Sequence, residues 1–219
     1  MKNILILLLL PNFLFAELLL EITKGSDNPY RIAIVPFEGA DKSVSTMVDI
    51  IKADLIRSGE FFSLSEEMLL SIPKTIDDIK PSEWKLLNID FIVIGKVINE
   101  DDISLKASYE IYDVNKKSKI RSSTVYGIPG KLRQLSHYIS DGIYESVTGM
   151  KGISATKILY VNEVRDGLQI NYILYVADAD GSNEAVLLKS NEPIISPAWS
   201  PDSKKIAYVS FETGMAKVF

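Results

Sequence analysis

The stretch PIISPAWSPDSKKIAYVSFETG, residues 193–214, constrains the fold of this chain more than any other. Pro193 and Pro197 punctuate a short run that ends in Trp199, Pro201-Asp202 makes a tight turn, and residues 206–211 alternate β-branched and aromatic side chains as a strand does. Such a unit reads as the junction between two blades of a β-propeller, one ending and the next beginning. A blade is a small sheet that cannot bury both faces alone, so it implies neighbours stacked around a central channel. The same grammar starts at Lys151. Residues 156–161, 172–177 and 185–188 read as further short strands, and Asp178-Ala179-Asp180-Gly181 falls where a hairpin must reverse, with Gly181 able to supply a positive φ.

Before Gly149 the pattern mixes helix and strand. Residues 18–22 and 30–37 read as strands, the second (YRIAIVPF) nearly continuous in apolar character and therefore central in its sheet. Residues 43–57 place Val44, Met47, Val48, Ile51 and Leu55 at helical spacing, and Ser58-Gly59 ends the run. A short helix with proline at its start is expected at 81–87, a buried strand at 90–98, and a hairpin of 104–114 with 118–126. The last helix spans 131–147, with Leu132, Leu135, Ile139, Ile143 and Val147 on one face and Gly149 as its stop. The fold class expected is an α/β amino-terminal domain, a mixed sheet with two long helices, followed by the start of an all-β propeller.

Residues 1–16 have the layout of a secretory leader: Lys2 at the start, an apolar run at 4–10, and a broken segment closing on Ala16. That run is far shorter than the roughly 20 apolar residues of a spanning helix, so cleavage after Ala16 and a periplasmic location are expected. The domain boundaries that follow are 1–16 for the leader, 17–150 for the α/β domain and 151–219 for the first blade and the start of a second. The chain has no cysteine, which suits an exported domain that relies on its core rather than on disulfides. Its net charge is −5, and −6 once Lys2 leaves with the leader. A surface of that sign repels polyphosphate, so nucleic acid is not an expected partner.

The residues that could carry chemistry are few. His137 is the only histidine, which excludes sites built on several imidazoles, and it lies off the apolar stripe of its helix. A polar surface or sheet-edge contact is expected for it. Gly152-Ile153-Ser154-Ala155-Thr156 begins like a nucleophile elbow but lacks the closing glycine and the strand-to-helix setting, so it reads as a turn between domains. The DADG segment resembles part of a calcium loop, yet Val176 stands where the first acid belongs. No glycine-rich phosphate cradle is present, and Trp199 reads as blade core. Catalytic residues, metal sites and cofactors are all expected to be none.

Several stretches, in order along the chain, together resemble the TolB family of periplasmic Tol-Pal proteins. They are ELLLEITKGSDNPYRIAIVPF after the leader, IIKADLIRSGEF, DFIVIGKV, HYISDGIYESVTGMKGISATKILYV, LYVADADGSN and SPAWSPDSKKIAYVSFETG. The resemblance implies an amino-terminal domain like an anticodon-binding domain and then a six-bladed propeller, of which about one blade lies here. It also implies a non-enzymatic adaptor between the inner-membrane protein TolA and the outer-membrane lipoprotein Pal. Such an adaptor supports outer-membrane invagination in cell division and envelope integrity, and meets membranes only through its partners.

Carried onto this sequence, the segment that engages the TolA carboxy-terminal domain is Glu17, Leu18, Leu19, Leu20, Glu21 and Ile22, while the Pal surface lies on later blades. Ser203 departs from the family, which usually has glycine there. Independently of the family, an apolar strand at a freshly cut terminus can pair within its own domain or add to another protein's sheet edge. The alternative reading is the propeller part of a secreted peptidase or hydrolase, which requires a nucleophile motif beyond residue 219. A binding module for a small ligand is a third.

Overall fold

The computed structural model describes residues 26–39, 43–100 and 103–219. Eight elements build the first part: β1 (Tyr30–Ile34), α1 (Ser43–Arg57), β2 (Phe61–Ser63), α2 (Pro81–Leu86), β3 (Phe91–Asn99), β4 (Leu105–Asp113), β5 (Ser118–Gly127) and α3 (Leu132–Thr148). They form one mixed sheet in the order β2-β1-β3-β4-β5. β1 runs parallel to both of its neighbours, whereas β3, β4 and β5 form an antiparallel meander.

The apolar run of β1 is continuous because both of its faces are covered. Ile32 and Ile34 join Met47, Ile51 and Leu55 of α1, Val93, Ala107 and Ile111 of the sheet, and Leu135, Ile139 and Ile143 of α3 in the larger core. Ala33 and Val35 point the other way, to a second core closed by Leu64, Ile79, Trp84 and Ile89. Each large side chain buried in this way contributes about 1.5–3 kcal/mol of transfer free energy. The two long helices thus lie side by side on one face, and the connection from β2 to β3 covers part of the other. Among the described residues no helix is long and apolar enough to cross a membrane.

The second part is all strand. β6 (Lys157–Asp166), β7 (Gln169–Asp178) and β8 (Ala185–Ser190) form one antiparallel sheet, and β9 (Ile194–Trp199), β10 (Ile206–Ser210) and β11 (Lys217–Val218) form the next. This is the start of a propeller. The change of sheet corrects one expectation: it comes between Ser190 and Ile194, so Trp199 and Pro201-Asp202 belong to a hairpin inside the second sheet. The run at 193–199 conceals a strand because it contains Pro197. A bulge accommodates that proline, with Ser196 at φ 53 and Pro197 skipped in the register between Ile195↔Val209 and Ala198↔Ala207. The DADG turn forms as expected, with Gly181 at φ 82 and its N–H donating to the Asp178 carbonyl.

Candidate functional site

The chemistry-bearing side chains collect at the seam between the α/β domain and the first blade. α3 carries two stripes. The apolar one, through Leu135, Ile139 and Ile143, enters the core, and a polar one, through Ser136, His137 and Ser140, is equally buried. His137 is only 2% exposed, which overturns the expectation of a surface or sheet-edge contact. A histidine can lie off the apolar stripe and still be buried when another packed element supplies its partner. Here α1 supplies it: His137 Nδ1 lies 2.6 Å from Asp54 Oδ2.

Asp54 is saturated with donors. Besides His137, its Oδ2 lies 2.8 Å from the Ser140 hydroxyl, and its Oδ1 accepts from Arg57 at 2.9 Å. The Ser140 hydroxyl is also 3.0 Å from the Ser136 carbonyl, so its single proton serves one acceptor at a time. Burial pushes the Asp54 carboxyl up, but the donors from His137, Ser140 and Arg57 together hold it below its ordinary value.

The blade reaches into the same place through the turn between β7 and β8. Asp180, in the DADG turn, pairs with the guanidinium of Arg133 on α3, and its Oδ1 accepts the Ser182 N–H at 2.9 Å. Its Oδ2 lies 3.8 Å from His137 Nε2. Here too burial raises the carboxyl and is outweighed, by the Ser182 N–H, Arg133 and the charge of His137, so that it sits below its ordinary value. Asp178, at the start of the turn, is lowered in the same sense: burial raises it, and Lys157 and Asn183 outweigh that.

A second tie fixes the linker. Asp141 of α3 accepts the N–H of Ser154 at 2.7 Å and that of Ala155 at 3.0 Å, and the Ala179 N–H returns to the Thr156 carbonyl at 3.0 Å. Gly152 is required by close approach, since a Cβ there would stand 2.6 Å from the Asp141 Cα. The segment that begins like a nucleophile elbow is thus a strapped linker with its N–H groups spent on a carboxylate. Two clefts flank the seam. One of about 220 Å³ is lined by Arg57, Tyr144, Lys151 and Ile153, the other of about 330 Å³ by Lys131, Arg133, Gln134, Lys157 and Asn183.

Asp54, His137 and Asp180 bring three potential ligand atoms within 4.8 Å of one another. A metal ion does not fit them. Every carboxylate oxygen of the pair already receives a donor, His137 Nδ1 is engaged, and Arg57 and Arg133 have already offset the two negative charges. The cluster is a charge-compensated clasp between two structural units. Sequence reading missed it, and the one available signal was the recurrence of polar residues at 133, 136, 137 and 140 on α3, a helical stripe opposite in character to the apolar one.

The residues expected to bind a partner, Glu17, Leu18, Leu19, Leu20, Glu21 and Ile22, lie outside the described residues. The described chain begins beside the residues that lead into β2. The Ser26 N–H donates to the Gly59 carbonyl and the Tyr30 N–H to the Glu60 carbonyl, both at 2.9 Å, next to edge strand β2.

Fold and seam define a class of protein: a compact α/β domain clasped to the first blades of a β-propeller. Two family models match, the TolB amino-terminal domain over residues 18–120 and the TolB β-propeller domain over residues 144–219. Two curated relatives named "Tol-Pal system protein TolB" are similar over most of the chain. The one from Alcanivorax borkumensis is 41% identical, covering 90% of this chain and 45% of its own length. The one from Nitrosococcus oceani is 42% identical, covering 94% and 48%. A crystal structure of TolB from Acinetobacter baumannii superposes with a TM-score of 0.79 at 36% identity, covering 90% of this chain and 48% of that one. The chain belongs to the TolB family, and it spans about half the length of the curated relatives it matches.

Proposed function

We propose that this chain is the amino-terminal portion of a periplasmic, non-enzymatic adaptor of the Tol-Pal system. The observation that supports this best is the collinear match to both TolB models, carried by a fold that follows a TolB crystal structure across nine-tenths of the chain. Residues 1–16 act as a Sec-type leader removed after Ala16, residues 17–150 form the α/β domain, and residues 151–219 begin the propeller. The segment Glu17, Leu18, Leu19, Leu20, Glu21 and Ile22 engages the TolA carboxy-terminal domain, and Pal is held by blades beyond residue 219. By linking the two, the adaptor serves outer-membrane invagination during division and envelope integrity.

Strand addition is the physical route for the TolA contact. It draws affinity from backbone hydrogen bonds and specificity from alternate side chains, so Leu18, Leu20 and Ile22 matter more than Leu19 and Glu21. The test is a calorimetric titration of the TolA carboxy-terminal domain into the chain starting at Glu17, into a truncation lacking residues 17–22, and into Leu19→Pro. Proline removes a backbone donor whichever face is used. Binding is expected to disappear in the truncation and to weaken at least tenfold in Leu19→Pro, about 1.4 kcal/mol or more. A folded truncation that binds like the parent refutes the assignment of this segment.

A further inference from the structure

We propose that His137 is a proton-operated latch between the α/β domain and the first propeller blade: as imidazolium it bridges Asp54 and Asp180 and tightens the seam, and on losing its proton it loosens its hold on the blade turn. The proposal stands on the placement of the two ring nitrogens and is independent of which partners the protein binds.

Nδ1 sits 2.6 Å from Asp54 Oδ2, a separation that requires a proton between them, so Nδ1 carries a hydrogen in either charge state. Nε2 is buried with no hydrogen-bond partner, and the carboxylate oxygen of Asp180 faces it at 3.8 Å. If the ring is neutral, Nε2 presents a lone pair to that carboxylate, which is repulsive in a buried site. If the ring is charged, it presents an N–H, and closing the gap by less than about 1 Å makes a charge-assisted hydrogen bond. The element that closes it is the DADG turn, which belongs to the blade, while Asp54 and His137 belong to the α/β domain. One proton therefore acts directly on the contact between the two parts.

Charged groups approach the ring from every element packed against it. From α1 come Asp54 and Arg57, from α3 Arg133 and Asp141, from the segments flanking α3 Lys131 and Lys151, from the turn between β7 and β8 Asp178 and Asp180, and from β6 Lys157. Of these groups, Asp54 and Asp180 are the two whose carboxylate oxygens face the ring nitrogens, one on each side. Arg133 already pairs with Asp180, so the seam is not expected to open fully when the ring is neutral. The change expected is from a tight to a looser contact.

The sole histidine and the absence of cysteine make the test clean. Nitrogen-15 spectra of the full chain read the charge and tautomer of His137 directly from about pH 5 to about pH 8, the range in which imidazole titrates. Spin labels on Ser122→Cys of β5 and Lys189→Cys of β8, the only thiols present, report the distance between the two parts. The interspin distribution is expected to be narrow at the acid end and broad at the alkaline end, with a midpoint that coincides with the ring titration. Asp180→Asn, which leaves the Asp54 contact intact, is expected to abolish the pH response of the distance, as is His137→Gln. The proposal is overturned if His137 keeps one charge state across the range, if the parent's distribution does not change with pH, or if Asp180→Asn retains the full response. A merely structural histidine would lower stability in the variants but leave no pH-dependent distance in the parent to lose.

Discussion

Ser203 shows at single-residue scale how a left-handed backbone position is tolerated without glycine. It sits at φ 56 in the turn after Pro201-Asp202, a left-handed conformation that costs a residue with a Cβ about 1–2 kcal/mol. The turn holds because its hydrogen bonds do not depend on that side chain: the Ser203 N–H donates to the Ser200 carbonyl and the Ser200 N–H to the Lys205 carbonyl, both at 2.8 Å. Ser203→Gly is therefore expected to stabilise the hairpin by about 0.5–1 kcal/mol, less than the full steric relief because glycine frees the unfolded chain. A urea melt of the two proteins checks this. Asp54 is the opposite case, a buried carboxylate that accepts from His137, Ser140 and Arg57, where asparagine would offer one uncharged acceptor oxygen in place of two. Asp54→Asn is expected to destabilise the chain by about 3 kcal/mol, the low end for a broken buried pair because Arg57 remains half exposed. A shifted urea midpoint at neutral pH is the readout. The His137–Asp54 pairing itself left no local trace in the sequence, because its members are 83 residues apart.

At the scale of elements, the linker between α3 and β6 is set by one acid rather than by its own sequence. Asp141→Ala removes the acceptor for the N–H groups of Ser154 and Ala155, both partly buried, and is expected to cost about 1–3 kcal/mol. Because Lys151 is exposed beside this strap, limited trypsin digestion is expected to cut there sooner in the variant than in the parent. Unchanged cleavage would mean that Gly152 packing alone holds the linker. The helices were legible because apolar spacing at 44, 47, 48, 51 and 55, and at 132, 135, 139, 143 and 147, reports directly on the buried face. α1 spans Ser43–Arg57 and α3 Leu132–Thr148, within a residue of the expected bounds. β2 was not legible. Three residues with one buried side chain carry no periodicity, and the strand exists because β1 offers it a parallel edge.

For the whole molecule, the seam makes stability depend on pH in a definite sense. The folded protein holds the Asp54 and Asp180 carboxyls below their ordinary value, so they bind protons less tightly than in the unfolded chain. Their contribution is present above the ordinary carboxylate range and is lost as pH falls through the lower folded values, below about pH 4. The urea midpoint is expected to drop steeply there, and Asp54→Asn is expected to flatten the drop. Hydrogen exchange is expected to separate the parts: slow amides in β1 and β3, which are covered on both faces, and fast ones in β10 and β11, where Met215, Val218 and Phe219 are exposed. Equal protection in both regions would show that the start of the propeller is stable without further blades.

By itself the sequence determined the α/β domain, its two helices, the hairpin turns and the propeller grammar, because each follows from local periodicity and turn chemistry. Only the tertiary structure decided the sheet order, the true change of blade before Ile194, and the burial of His137. Those depend on which surfaces meet across tens of residues, and no spacing along the chain encodes that Asp54, His137 and Asp180 share one buried seam.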